Sequence, residues 1–423
     1  MDLKSGNPYW AIKNGLMCTF PQLEADITCD VVVMGGGITG ALIADELANN
    51  DYDVAVVEQR DVAWGSSAAC TGLLQYDMDI NMVDLARRYG EAHAALVCEA
   101  CTEAFTDLHD LITGLGDVDF DMQESLHCVS KEGDKTALRE EQALRFKHDL
   151  DAQWLDSGQL LEHFGIKAPG AILTRLAARV DPYRLTSRLL MRLKERGGLV
   201  FDRTVIDSIE TSEQDVTIRT PEGTKIRARH LVMAAGYDAQ TWLRQSVAKS
   251  RSSYAFISDP IERATLGLLA STMVWESARP YLYMRTTGDG RLLVAGDDDN
   301  TESPGRRDRI LEGKVKHLCT KVKERFPDLR VRPAYSWSGT FAETADGLPF
   351  LGAHPQYGPR VQFAMAYGGN GILFSMLGAG MLRANIEHRP LPLAALFGFS
   401  RLDNSLAEKA SKTVWKTREH EAV

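Results

Sequence analysis

Asp30-Val31-Val32-Val33-Met34 is an apolar, β-branched run that predicts a short buried strand, and Val54 to Val57 predicts a second. Between them, Ala41 to Asn50 carries helix-forming residues, so this stretch reads as strand, helix, strand. From Met82 to Leu115, Leu85, Tyr89, Ala92, Leu96, Cys101, Phe105 and Leu108 recur near helical spacing and predict one long helix, ended by Gly114 and Gly116. Phe120 to Val129 predicts a strand. Lys135 to His148 predicts a strongly charged helix with a solvated face. Asp181-Pro182 opens a further helix that Gly197-Gly198 stops.

Beyond that helix the period changes to two. Leu199 to Phe201 is a strand, and Val205 to Ile209 is extended. Val216 to Arg219 and Lys225 to Ala228 flank the turn Pro221-Glu222-Gly223, and His230 to Gly236 is a buried strand ending in small residues. Tyr254 to Ser258, Met273 to Glu276, Tyr281 to Arg285 and Arg291 to Ala295 predict a separate antiparallel sheet, with a turn at Thr287-Gly288-Asp289-Gly290. Ile310 to Phe326 is an amphipathic helix stopped by Pro327. Val361 to Ala366 runs into the glycine-rich junction Gly368-Gly369-Asn370-Gly371, and a closing helix spans Leu373 to Ile386. Met1 to Thr28 reads as a lead-in wrapped on the surface, and the residues after the closing helix as a peripheral tail.

The first strand–helix junction carries chemistry. Gly35-Gly36-Gly37-Ile38-Thr39-Gly40 fits G-x-G-x-x-G. Gly35 serves the tight turn, Gly37 the close approach of backbone to a pyrophosphate, and Gly40 the close packing of helix on strand. A helix N-terminus there offers unpaired N–H groups to phosphates. Glu58 ends the second strand at the offset of an acid that binds both ribose hydroxyls, which favours FAD or NAD over NADP. The following stretch, Gln59 to Leu74, is rich in Gly, Ser and Ala and suits close approach to a cofactor; Ser66 and Ser67 can donate to phosphate oxygens.

The 423 residues suggest two domains. A net charge of −10 argues against broad nucleic-acid affinity. The chain shows no apolar run of membrane-spanning length and no apolar signal core, so the cytoplasm is the expected compartment. Seven scattered cysteines read as reduced thiols, and Cys98-x-x-Cys101, inside a helical run, as buried small side chains. No metal is expected: Asp297-Asp298-Asp299 lacks the downstream Glu of an EF-hand and reads as a solvated loop.

Three separated blocks make the chain resemble the D-amino-acid oxidase superfamily of FAD-dependent oxidoreductases, which includes glycine and sarcosine oxidases. They are Asp30 to Glu58 with Gly65 to Gly72; Val180-Asp181-Pro182 through Val205 to Ala234-Ala235-Gly236; and Thr344 to Pro349 with Gly368 to Gly371. The resemblance implies an α/β fold with a Rossmann-type, glutathione-reductase-like FAD-binding domain and a second α+β substrate domain built on an antiparallel sheet. The expected boundaries are 1–80, 150–245 and 331–395 for the discontinuous FAD-binding domain, 81–149 and 246–330 for the substrate domain, and 396–423 for a C-terminal tail. It implies that Gly35, Gly37, Ile38, Thr39, Gly40, Glu58, Gln59, Gly65, Ser66, Ser67, Gly72, Leu73, Ala235, Gly236, Gly369 and Asn370 bind FAD, that Val205 meets the adenine through its backbone, and that Gly371 and Ile372 present amides to the pyrimidine edge of the flavin.

Two departures bear on function. Relatives often place a carboxylate-binding Arg just after the glycine of the block matching Ser338-Gly339-Thr340-Phe341, and this chain has none there. Arg285 is the expected replacement, with Tyr281 and Tyr283 on the same face of its strand to flank the substrate, and Tyr283 and Tyr254 are the other expected catalytic residues. The slot of a flavin-attaching His is Ala69, so FAD is expected to be non-covalent. The resemblance implies oxidation of a C–N bond in a small amine or amino acid by hydride transfer to flavin N5, giving an imine, with O2 or another acceptor reoxidising the flavin. Oxidation of a hydroxy acid, FAD binding without turnover and NAD-only chemistry are the rival readings.

Overall fold

The computed structural model describes residues 3–301 and 303–402, and its strands gather into two sheets. The first has eight strands and a parallel centre. Leu199–Phe201, Val54–Val57, Ile27–Met34, Lys225–Met233 and Val361–Met365 lie side by side, and Phe350–Ala353 is antiparallel at one edge. Val31 and Val33 pack beneath the helices Ile38–Ala48, Pro182–Glu195 and Gly371–Ile386. Val32 and Val57 face the other way, onto Ile218 and Ile226 of a small antiparallel meander. Burial on both faces is why these strands read as unbroken apolar runs. The pairs Met34↔Val57 and Met233↔Met34 align the carboxyl ends of three central strands.

The second sheet has ten strands and is mostly antiparallel. Its centre is Pro333–Glu343, Lys249–Pro260, Arg291–Asp299, Leu282–Thr286 and Thr272–Glu276, in that order. Lys4–Gly6, Leu73–Gln75, Gln153–Asp156, Gly170–Arg179 and Pro333–Glu343 all pair into this sheet, although each falls in a segment expected from sequence to serve the cofactor domain. One face of the sheet, with Tyr254, Phe256, Leu292 and Val294, packs on the helix Pro304–Arg325. The other face carries Ala255, Ile257, Leu293, Ala295 and Trp337.

Four sequence expectations change. The run from Met82 to Leu115 is two helices, Met82–Tyr89 and Glu91–Thr113, broken at Gly90, whose φ of 89° no helix accommodates. The lead-in is part of the core: Lys4–Gly6 pairs with Pro333–Glu343, and Tyr9 and Trp10 are buried. The charged helix Lys135–Lys147 buries Glu141 and Arg145. Glu141 accepts from the N–H groups of Met82 and Val83, and Arg145 pairs with Glu141 and Asp77, so the helix anchors the segment leading into Met82–Tyr89. Of the expected tail, residues 403–423 lie outside the described residues, but Phe397, Phe399 and Arg401 are buried. Arg401 pairs with Asp346 and donates to the carbonyls of Leu348, Pro349 and Leu396. Among the described residues no helix is long and apolar enough to cross a membrane.

Candidate active site

A cavity of about 650 Å³ runs from the carboxyl ends of the parallel strands, at Met34, Val57 and Ala234, to the inner face of the second sheet. Ligand clefts in open α/β sheets lie at this end of the strands.

Its phosphate-sized part surrounds the start of the helix Ile38–Ala48. Gly35 has φ of 123°, and a Cβ there would stand 2.3 Å from the Ala234 carbonyl oxygen. A Cβ on Gly40 would stand 1.9 Å from the Gly35 carbonyl oxygen, so Gly40 does not line the cavity but lets the helix sit against the turn. Gly37, Ile38, Thr39, Gly65, Ser66 and Ser67 line it. The Ile38 N–H donates to Ser67 Oγ at 2.9 Å, which leaves the Ser67 hydroxyl proton to give elsewhere, and Ser66 Oγ is buried without a partner. A pyrophosphate would satisfy both hydroxyls and the helix N-terminus.

At the far end lies Glu58. Its carboxylate accepts from the N–H of Gly36 at 2.8 Å and of Arg60 at 2.9 Å. Burial pushes the Glu58 carboxyl up, opposed by those two N–H groups. Each oxygen keeps lone-pair capacity for a ribose hydroxyl. Gln59 lines the cavity beside it and donates to Asp238. The Val205 side chain points to solvent, whereas Thr204 and Ile206 on either side line the cavity.

At the other end, Leu73, Ala235, Gly236 and the stretch Gly369 to Ile372 line the cavity at the start of the helix Gly371–Ile386. The Asn370 side-chain amide donates to the carbonyls of Gln75 and Asp77, and the Gly369 N–H donates to the Asp79 carboxylate at 2.6 Å. These bonds fix the junction to the segment before Met82. Gly72 lies behind the wall. It has φ of 66°, and a Cβ there would meet the Val180 carbonyl oxygen at 2.2 Å.

The substrate residues expected from sequence divide. Tyr283 lines the cavity, and burial pushes its hydroxyl up. Tyr254 does not. It sits on the opposite face, packed on the helix Pro304–Arg325, with its hydroxyl donating to Asp299, because Ser253 and Ala255 take the inward positions of that strand. Arg285 is also corrected. It is fully buried, and its guanidinium donates to the carbonyls of Thr71, Val180 and Thr286, over the Trp10 ring. Those acceptors take four of its five N–H groups and it does not line the cavity, so it clamps the Thr71–Gly72 turn rather than a substrate.

The inner face instead presents Trp275, Tyr281 and Phe341 with the carboxylates of Asp79, Asp298 and Glu343. Asp298 belongs to the acidic run read from sequence as a solvated loop. The run ends the strand Arg291–Asp299, and a bulge opposite Ser252 and Tyr254 breaks the alternation there. Gly296 (φ 128°) and Asp297 (φ 54°) take the extra turn, so Asp297 and Asp299 bind Lys314 on the helix side while Asp298 faces the cavity. Burial, with Glu343 and Asp79 nearby, pushes the Asp298 carboxyl up to about 7 against the Ser253 hydroxyl and Arg279. Glu343 pairs with Arg251 at 2.6 Å. A triple acidic run at the end of a predicted strand was the one signal in the chain for Asp298.

The glycine turn, the paired serines and Glu58 thus fit the parts of FAD in order along one cavity. A family model described as FAD dependent oxidoreductase, DAO, matches residues 30–384. The chain belongs to this family. It is therefore an FAD-dependent oxidoreductase, as the resemblance implied. Gamma-glutamylputrescine oxidoreductase of Escherichia coli is 25% identical over 409 residues, covering 91% of this chain and 92% of that protein. Glycine oxidase of Geobacillus kaustophilus is 28% identical over 371 residues, covering 85% of this chain and 93% of that protein. The crystal structure of a G. kaustophilus glycine oxidase superposes with a TM-score of 0.73 at 22% identity, over 88% of this chain and 98% of that one.

Proposed function

We propose that this FAD enzyme oxidises a C–N bond of an amine or amino acid. The observation that carries the reading is a single cavity in which the FAD cradle opens directly onto an aromatic and acidic wall of Trp275, Tyr281, Tyr283 and Asp298. The relatives named for oxidising glycine and gamma-glutamylputrescine support the amine class. Bound FAD supplies a two-electron acceptor for the hydride on the carbon beside nitrogen, which leaves an imine for water to hydrolyse.

The chain's own residues do the rest. Gly37, Ser66 and Ser67 would hold the pyrophosphate of FAD and Glu58 its ribose. The N-terminus of the helix Gly371–Ile386 would favour negative charge on a ring bound against it. Trp275, Tyr281 and Tyr283 exclude water and orient the carbon to be oxidised. Asp298, ionised, accepts the ammonium proton, so the nitrogen lone pair becomes available. Reoxidation falls to O2 or to another acceptor.

The test is anaerobic mixing of the holoenzyme with panels of amines, amino acids and hydroxy acids. Bleaching by amines or amino acids with formation of a carbonyl product supports the reading. Bleaching by hydroxy acids alone refutes it.

A further inference from the structure

Charge divides the cavity. Of its lining residues among those described, Arg60 is the one Lys or Arg, and it lies at the ribose end with Glu58 and Asp238. At the other end the second sheet contributes Asp298 and Glu343, the segment before Met82 adds Asp79, and no Lys or Arg lines this wall. Two arginines stand behind that wall. Arg251 is spent on Glu343 and Asn300. Arg279 stacks over the Tyr281 ring at 4.1 Å and donates to the Asp79 carbonyl oxygen. Carboxylates therefore dominate the lining at this end of the cavity.

A second observation singles out where that charge acts. Asp298 Oδ1 is shielded from solvent and has no hydrogen-bond partner. A buried carboxylate oxygen left unpaired is costly, and a native protein keeps one where a ligand completes it. The rings of Trp275 and Tyr281 stand edge to face at 6.2 Å on the same wall. Carboxylate plus aromatic faces is the surrounding an organic ammonium prefers.

We propose that Asp298 is the specificity-determining anchor of the substrate's cationic nitrogen, and that the substrate class is amines with no carboxylate on the carbon to be oxidised. This rests on the amine reading above and narrows it. An α-amino acid would bring a carboxylate to a wall lined by three carboxylates and by no Lys or Arg. Its desolvation would go uncompensated.

The test uses two probes of one shape and opposite charge, tert-butylammonium and pivalate. The ammonium has no hydrogen on the carbon beside nitrogen and so cannot be oxidised. Binding to the FAD-loaded protein is read by calorimetry and by perturbation of the flavin absorbance, at a pH where the amine is protonated and Asp298 ionised. The expected result is that tert-butylammonium binds at least tenfold more tightly than pivalate. Asp298→Asn should weaken the ammonium at least tenfold and leave pivalate equal or stronger. Pivalate binding as tightly as the ammonium in the unsubstituted protein overturns the proposal, and so does an ammonium affinity that Asp298→Asn leaves unchanged. The comparison of the two probes needs no variant, so it stands if Asp298→Asn fails to fold. Cation binding without bleaching by any amine would sink the C–N reading, and the substrate class with it, and spare only the assignment of Asp298 as a cation anchor. Bleaching by α-amino acids, with pivalate the tighter probe, would do the reverse.

Discussion

Removing the Glu58 carboxylate should separate cofactor affinity from fold. In Glu58→Ala the two ribose hydroxyls lose a charged acceptor, and hydrogen bonds to charged groups contribute roughly 1.5–3 kcal/mol each. Two of them make about 3–6 kcal/mol, which at about 1.4 kcal/mol per tenfold raises the FAD dissociation constant roughly 10²- to 10⁴-fold. The same substitution frees the N–H groups of Gly36 and Arg60, which Glu58 accepts at 2.8 and 2.9 Å. The apoprotein should therefore also lose thermal stability, because the turn that cradles the pyrophosphate loses its brace. Calorimetric titration of apoprotein with FAD measures the first effect, and melting of the apoprotein measures the second. A dissociation constant within threefold of the parent protein, with the melting temperature lowered, would show that Glu58 braces the turn and does not hold the ribose.

Three further outcomes follow from the site. Arg285→Lys should lower the melting temperature of the holoprotein, because a single ammonium cannot reach the Thr71, Val180 and Thr286 carbonyls that the guanidinium bridges, and each buried acceptor left unpaired costs about 1–3 kcal/mol; a selective rise in KM for acidic substrates at unchanged stability would contradict the clamp. Acid precipitation should release FAD into the supernatant: Ala69 offers no attachment, and burial pushes the Cys70 thiol up and keeps it neutral; yellow colour retained in the pellet would point to Cys70. Affinity for tert-butylammonium should rise as pH rises through about 7, because Asp298, held up by burial and by Glu343 and Asp79 against Arg279 and Ser253, binds a cation only when ionised; a slope that persists in Asp298→Asn would assign the titration to another group.

The cofactor half of the site was legible because its signals are local. Gly35, Gly37, Gly40 and Glu58 act within one strand–helix–strand unit, where spacing along the chain is spacing in space. The substrate half depends on which strand lies beside which. Tyr254 and Tyr283 read alike as aromatic strand residues, yet the pairing of each strand sends Tyr283 to the cavity and Tyr254 onto the helix Pro304–Arg325. Alternation put Arg285 on the face of Tyr283, but not at its depth: the Thr71–Gly72 turn and the Val180 carbonyl cross there and capture it. Asp298 was hidden by a bulge, which shifts the period by one residue and exchanges the faces. Asp79 and Glu343 arrive from segments far apart in the chain, and no pattern in either announces the meeting. Gly90 could be seen as a glycine within a helical run, but its left-handed φ, and with it the break, could not.

The central claim is that an amine gives up its electrons in this cavity. Anaerobic stopped-flow absorbance of the holoenzyme, mixed with primary and secondary alkylamines, their α-carboxylated counterparts and the matching hydroxy acids, measures it directly. The account predicts flavin bleaching by alkylamines with one carbonyl formed per flavin reduced, and slower or no bleaching once a carboxylate is placed on the reacting carbon. A flavin that stays oxidised with every amine and amino acid, while a hydroxy acid bleaches it, would contradict the account.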